Sequence, residues 1–255
     1  MSDAGGLPAV RYGFRRGRRR SDGVGRTASE RPLRDGGEPA RIVLVRAGGD
    51  EVRVVVLGDG RRLRVDAEDF ARFALEAGLT LAPATLEHLE RRDAYRRARE
   101  TALRLLGTRA RTIADLRARL RRLDVTPETA ASVVDDLTAD GYLDDLEFAR
   151  TWVRARLAIR AYGALRLRSE LREKGVAISF IEQAIREVYG EEDAAVAEER
   201  RARDLAERRL RGYARLDWEV RVRRLAGFLQ RRGFAAPTIA RVLRTVQRSR
   251  ESSDA

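Results

Sequence analysis

Between residues 41 and 65 the chain alternates short β-branched runs with glycine-containing breaks. RIVLV (41–45), VRVVVL (52–57) and RRLRV (61–65) are separated by AGGD and GDG. Asp59-Gly60 is a tight-turn signal, and Gly48-Gly49 serves the preceding turn. This pattern predicts a three-stranded antiparallel meander. Such a sheet is marginal alone, so it is expected to pack on a helix from about Asp66 to Ala77.

From Pro83 onward the period changes from two to 3.6, and Gly and Pro fall mainly where helices would end. A repeat then emerges. The leucine pairs Leu116/Leu120, Leu167/Leu171 and Leu225/Leu229 serve as anchors. The position five residues after each second leucine holds Val125, Val176 or Phe234, and the tenth holds Ala130, Ile181 or Ile239. Further on stand Val133, Val134 and Leu137; then Ala184, Ile185 and Val188; then Val242, Leu243 and Val246. Every registered position is apolar in all three copies, with no gaps inside the unit.

Each copy therefore reads as a helix, a tight corner and a second helix. Gly175 and Gly233 lie where a left-handed C-terminal cap would end the first helix. Asp124 holds that place in the first copy, and aspartate tolerates the conformation less well. A longer helix precedes each pair, giving three-helix units over about 95–139, 144–189 and 191–248. The fold expected is mainly α: a tandem array of three three-helix units, elongated and curved. It is preceded by the small β-meander with its helix (41–82) and a disordered, basic Arg/Gly-rich tail (1–40).

The first junction, DLTADGYLDDLE (136–147), resembles a calcium-binding loop, with acids at Asp136 and Asp140, Gly141 and a closing Glu147. The repeat register argues otherwise. Val133, Val134 and Leu137 keep the helix running to about Ala139, and Thr138 stands where the loop wants Asp or Asn. Gly141 is expected to end one helix, Leu143 to tuck into the junction, and Asp144 with Glu147 to form an acidic capping box for the next.

Charge adds a partner class. Charged residues make up 36%, above the ~25% of an ordinary globular protein, which suits long solvated helix faces. The net charge is +13 and the pI about 11.1, favouring nucleic acid, an acidic protein face or an anionic membrane surface. Lys174 is the single lysine. No apolar run approaches the ~18 residues of a membrane span, and the N-terminus lacks a signal-peptide core, so a cytoplasmic protein is expected. The tail carries nine arginines against five acids.

Candidate chemistry is sparse. The absence of cysteine excludes disulfides, thiolate metal sites and cysteine nucleophiles. His88, the only histidine, lies in EHLERR and reads as an exposed helical residue. Neither G-x-S-x-G nor G-x-x-x-x-G-K-[ST] occurs. Gly23, Gly25 and Ala28 mimic a dinucleotide fingerprint, but no strand precedes them. Asp135/Asp136 and Asp144/Asp145 fall at helix ends, where acids cap and complement the dipole. No catalytic residue, metal or cofactor is expected.

Two basic segments stand out. Residues 150–174 carry Arg150, Arg154, Arg156, Arg160, Arg166, Arg168, Arg172 and Lys174 against Glu170 and Glu173. Residues 200–232, which include Arg231 and Arg232, hold twelve arginines against four acids. Arg150 and Arg154 lie one helical turn apart, opposite the apolar side with Phe148 and Trp152. These segments read either as solvated faces or as strips that grip phosphate or an acidic groove.

The stretches TRARTIADLRARL (108–120), LTADGYLDDLEFARTWVRAR (137–156), YGALRLRSELREKGV (162–176) and RRLAGFLQRRGF (223–234) resemble the RecX regulatory proteins. The resemblance covers about residues 95–248. The most specific elements are Gly141 to Ala149 (with Leu143, Asp144, Asp145 and Phe148), Lys174-Gly175, and Arg231-Arg232-Gly233-Phe234. Asp124 departs from the family pattern, which has glycine there. What the resemblance implies is a non-enzymatic regulator, mainly an inhibitor, lying in the groove of a RecA–DNA filament. It would damp strand exchange, ATP hydrolysis and coprotease activity in DNA repair and the SOS response. Partners would be the RecA filament and single- or double-stranded DNA, with the chain itself a monomer and no membrane involved. The competing reading is a helix–turn–helix transcriptional regulator. Against it, the second helices are acidic or mixed rather than basic.

Overall fold

The computed structural model describes residues 40–48, 51–159, 161–189 and 194–254. The expected tail, Gly49, Arg160 and the Gly23–Ala28 stretch lie outside these residues. The described chain forms two compact units. One joins the stretch up to Leu105 with Leu120–Asp135; the other joins Leu106–Arg119 with the chain from Asp136.

The first unit carries the sheet. Strands β1 (Ile42–Ala47), β2 (Val52–Leu57) and β3 (Arg62–Asp66) pair antiparallel in the order β1-β2-β3, with a register shift between Ile42 and Leu44. Gly60 takes φ +87°, and the Leu57 amide closes the hairpin onto the Arg61 carbonyl (2.9 Å). Helix α1 (Ala67–Arg72) is shorter than the expected 66–77. Asp66 caps its start by accepting from the Asp69 amide (2.8 Å). Its end comes early because Ala74 enters the left-handed region at φ 46°. Ile42, Val55, Leu57, Leu63, Val65, Leu75, Leu81 and Leu89 form the core.

Helix α2 (Pro83–Thr108) covers the sheet through arginine–aspartate contacts. Arg92 and Arg96 both reach Asp66, at 2.9 and 2.6 Å. Arg64 donates to the buried Asp93 through both its amide and its Nε. His88 corrects the sequence reading. It is half-buried, its Nε2 lies 3.0 Å from the Asp69 carboxylate, and its ring meets Phe73 edge-on. Packing against α1, which spacing along α2 cannot show, places it there.

The remaining helices are α3 (Ile113–Arg121), α4 (Pro127–Ala139), α5 (Asp145–Ile159), α6 (Ala164–Glu173), α7 (Ile178–Tyr189), α8 (Ala194–Arg211), α9 (Trp218–Arg231) and α10 (Ala236–Asp254). These helices realise the repeat register. Leu116, Leu120, Leu167, Leu171, Leu225 and Leu229 are all fully buried, as are Val133, Val134, Leu137, Ala184 and Val242. The corner residues Val176 and Phe234 are buried too, while Val125 is only half-buried.

All three corners share one backbone form. Asp124, Gly175 and Gly233 take φ of 58°, 78° and 81°. In each, the amide one residue on reaches back to the second anchor leucine's carbonyl, at 3.2, 3.1 and 3.2 Å. Asp124 thus adopts the glycine conformation despite its side chain, and the first corner keeps its shape.

The DLTADGYLDDLE junction is a helix end followed by a helix start. Helix α4 runs to Ala139, Gly141 takes φ +76°, and the Tyr142 amide bonds the Leu137 carbonyl (2.8 Å). Leu143 is buried. Asp144 caps α5 by accepting from the Glu147 amide (2.9 Å). The Glu147 carboxylate is turned the other way, toward Arg150, Thr151 and Arg154, so the box is one-sided.

Candidate interaction surface at the joints between repeats

Two joints within the second compact unit are built alike. In the first, the end of α6 docks on the start of α3. The Thr112 hydroxyl donates to the Lys174 carbonyl (2.7 Å), and Gly175 packs on Ala114 so closely that a Cβ would lie under 3.0 Å from Ala114 Cβ. The Asp145 carboxylate, from the next helix but one, accepts the Ile113 amide (2.9 Å). This satisfies an N–H that a helix start leaves without an intrahelical acceptor.

In the second joint, the end of α9 docks on the start of α6. The Gly163 amide donates to the Arg232 carbonyl (2.9 Å), and the Leu165 amide to the Gly233 carbonyl (3.1 Å). A Cβ on Gly163 would overlap the Gly233 backbone. Here Glu198 plays Asp145's part, accepting the Ala164 amide (2.8 Å). In the repeat register Ile113 corresponds to Ala164, Thr112 to Gly163, and Lys174-Gly175 to Arg232-Gly233. One docking scheme is therefore used twice.

The basic candidates distribute unevenly around these joints. Glu170, buried on α6, gathers three donors: Trp152 Nε1 at 3.0 Å and Arg156 Nε at 2.8 Å on Oε2, and Arg166 Nε at 2.9 Å on Oε1. Lys174 Nζ sits 4.0 Å and the Arg156 guanidinium 4.4 Å from the Trp152 ring centre, so the indole takes part in two cation–π contacts. Burial, then the Arg109 and Arg156 charges, pushes the Lys174 ammonium below the usual lysine range. Arg232, at the register position of Lys174, lies over different rings, those of Tyr162 and Phe228, at 5.6 and 5.2 Å.

Other candidates are committed to ion pairs. Arg150 pairs with Glu187 through Nε and Nη2 (2.5 and 3.0 Å), and also with Glu147. The Arg150 hydrogen bond pulls the Glu187 carboxyl down to about 2. Arg168 grips Glu182 bidentately (2.7 and 2.8 Å). Arg154 makes a long 3.4 Å contact with Glu147 and is 59% exposed. Arg166 is 54% exposed although its Nε is engaged, and Arg231 is exposed. The strip read from sequence thus separates into inward-facing cations that hold helices together and outward-facing ones at Arg154, Arg166 and Arg231.

Of the residues singled out for architecture, Gly175 and Gly233 prove to do two jobs, capping a helix and admitting its neighbour. Phe148 and Phe234 are buried. Asp145 is buried as well, and burial holds its carboxyl above the usual aspartate range. Sequence reasoning missed Thr112, Trp152's bond to Glu170, and Glu198. The detectable signal was the equivalence of Ile113 and Ala164, each followed in the chain by an acid near the start of a longer helix.

Sequence models of the first, second and third RecX three-helix domains match residues 98–137, 144–185 and 197–243. A regulatory protein RecX of Amycolatopsis mediterranei (strain U-32) is 38% identical over 154 residues, covering 60% of this chain and 83% of that protein. One from Geobacillus kaustophilus (strain HTA426) is 31% identical over 210 residues, covering 81% of this chain and 76% of that protein. A crystal structure of regulatory protein RecX matches with a TM-score of 0.63 at 21% identity, over 80% of this chain and 98% of that one. The structure of RecX from Lactobacillus salivarius matches with a TM-score of 0.55 at 19% identity, over 61% and 97%. At those identities the structural likeness concerns the fold.

Proposed function

The chain belongs to the RecX family, and from that membership we propose that it is a non-enzymatic regulator, mainly an inhibitor, of the RecA recombinase. It acts as a monomer in the cytoplasm, needs no cofactor, and lies in the groove of the RecA–DNA filament. There it slows strand exchange, ATP hydrolysis and coprotease stimulation, the activities on which DNA repair and the SOS response draw. Inhibition comes from binding one filament state better than another, since only differential affinity shifts such an equilibrium.

The observation that carries this reading is the repeated joint. Two joints of one construction recur within the second compact unit, which suits a partner that is itself a repeating polymer. The outward cations Arg154, Arg166 and Arg231 supply the charge for an acidic wall or for phosphate. Among the described residues no helix is long and apolar enough to cross a membrane.

The test is a titration of single-strand-DNA-dependent ATP hydrolysis by the cognate RecA. Hydrolysis should fall at or below one regulator per RecA. No effect at any salt concentration, or a footprint on a defined duplex operator, would overturn the assignment. Arg154→Gln with Arg231→Gln should weaken inhibition while helicity is kept, since neither change brings a carboxylate up against Glu147 or Glu170. Arg150→Glu alone is a poorer probe, because it sets a carboxylate against Glu187 and Glu147.

A further inference from the structure

Among 53 basic residues Lys174 is the one lysine, and it occupies an unusual place. It is the C-cap of α6, its carbonyl held by Thr112 and its ammonium laid against the Trp152 ring. Lys174 also lines an open cleft of about 360 Å³ together with Arg109, Thr112, Asp115, Arg172 and Glu173. The cleft thus gathers one amine, the guanidiniums of Arg109 and Arg172, and the carboxylates of Asp115 and Glu173, with Arg109 Nη2 donating to Asp115 (2.9 Å) and keeping further N–H donors for an anion. A guanidinium stays protonated at any physiological pH, whereas a lysine loses its proton readily once it is desolvated among other cations. Burial with Arg109 and Arg156 pushes Lys174 in that direction.

We propose that Lys174 is an acylation site, modified by acyl phosphates that bind in this cleft through their phosphate group. Arg109 and Arg172 hold the anionic donor. The Nζ lone pair attacks the acyl carbonyl carbon; a C–N bond forms, and the C–O bond to phosphorus-bound oxygen breaks. The electron pair leaves on inorganic phosphate and the displaced N–H proton passes to solvent, so no oxidant or reductant is needed. The product is a neutral amide. It removes one positive charge from the first joint and abolishes the cation–π contact with Trp152, while the backbone bond from Thr112 remains.

The single lysine makes the experiment clean. The full-length protein and an N-acetylated peptide of residues 168–180 are incubated with acetyl phosphate at pH 7.5, and acetyl-Lys174 is followed by mass spectrometry. The folded chain should react faster than the peptide, by about threefold or more, because its amine is desolvated beside fixed cations. Arg109→Gln with Arg172→Gln should bring the rate back toward that of the peptide. Added inorganic phosphate at constant ionic strength should slow the unaltered folded chain and spare the peptide, which keeps the test valid if the double variant folds poorly. A folded rate no higher than the peptide rate overturns the proposal. So does a folded rate that both the double variant and added phosphate leave unchanged.

Discussion

Alanine at Gly175 and at Gly141 separates two demands that the sequence alone makes look identical. Both glycines end a helix in the left-handed region, at φ +78° and +76°. At Gly141 a Cβ would meet nothing within 4 Å, whereas at Gly175 it would collide with Ala114 Cβ. Holding an L-residue in this conformation costs about 1–2 kcal/mol, so Gly141→Ala should lose about that much. Gly175→Ala bears the same strain and an overlap that no rotamer can relieve, since Ala114 has nothing beyond its Cβ to swing aside. Forced overpacking adds about 1–3 kcal/mol, for a total of about 2–5 kcal/mol. The assay is guanidinium unfolding followed by far-ultraviolet circular dichroism, with amide exchange at Ile113–Leu116 as a local probe. Exchange there should accelerate in Gly175→Ala and not in Gly141→Ala. Equal losses in the two variants, or unchanged exchange at the start of α3, would refute the close-approach account of the joint.

Further expectations concern the carboxylates. Glu170→Ala leaves Trp152 Nε1, Arg156 and Arg166 without their shared acceptor and should cost about 2–4 kcal/mol in the same unfolding assay; a loss under about 1 kcal/mol would show the network to be dispensable. The Arg168 hydrogen bond holds Glu182 below its usual carboxylate range. Its contribution is present above the unfolded value near 4.5 and is lost as pH falls through the lower folded value. The stability gap between the unaltered chain and Glu182→Gln should therefore close on acidification. Asp145 has the opposite sign. Burial raises it, so the folded state binds the extra proton between 3.8 and the raised value, and stability falls as pH climbs through that window. Asp145→Asn, which keeps an acceptor for the Ile113 amide, should gain on the unaltered chain between acid and neutral pH; a pH-independent difference would contradict this.

Much of the architecture was legible along the chain because its signals are local. The anchor leucines and corner residues repeat with helical spacing, and burying that stripe is what makes each helix worth forming. Gly141, Gly175 and Gly233 announce helix ends because a left-handed cap is a property of one residue. The hairpin at Asp59-Gly60 and the end of α4 near Ala139 follow for the same reason. The short α1 and the half-buried His88 were not legible. Each depends on what lies across from it, and periodicity is silent about that.

The tertiary structure decided which charges are used up inside the fold. Arg150 and Glu187 are 37 residues apart; Arg168 and Glu182 are 14 apart but sit on different helices. Whether such pairs meet depends on the rotational phase and approach of two helices, which composition and spacing leave undetermined. The sequence by itself determined the repeat, its caps and a strong excess of positive charge. Only packing turned that charge into two populations, one clamping the joints and one facing outward. A cation's role is set by the nearest acid in space, and that acid is chosen when helices dock.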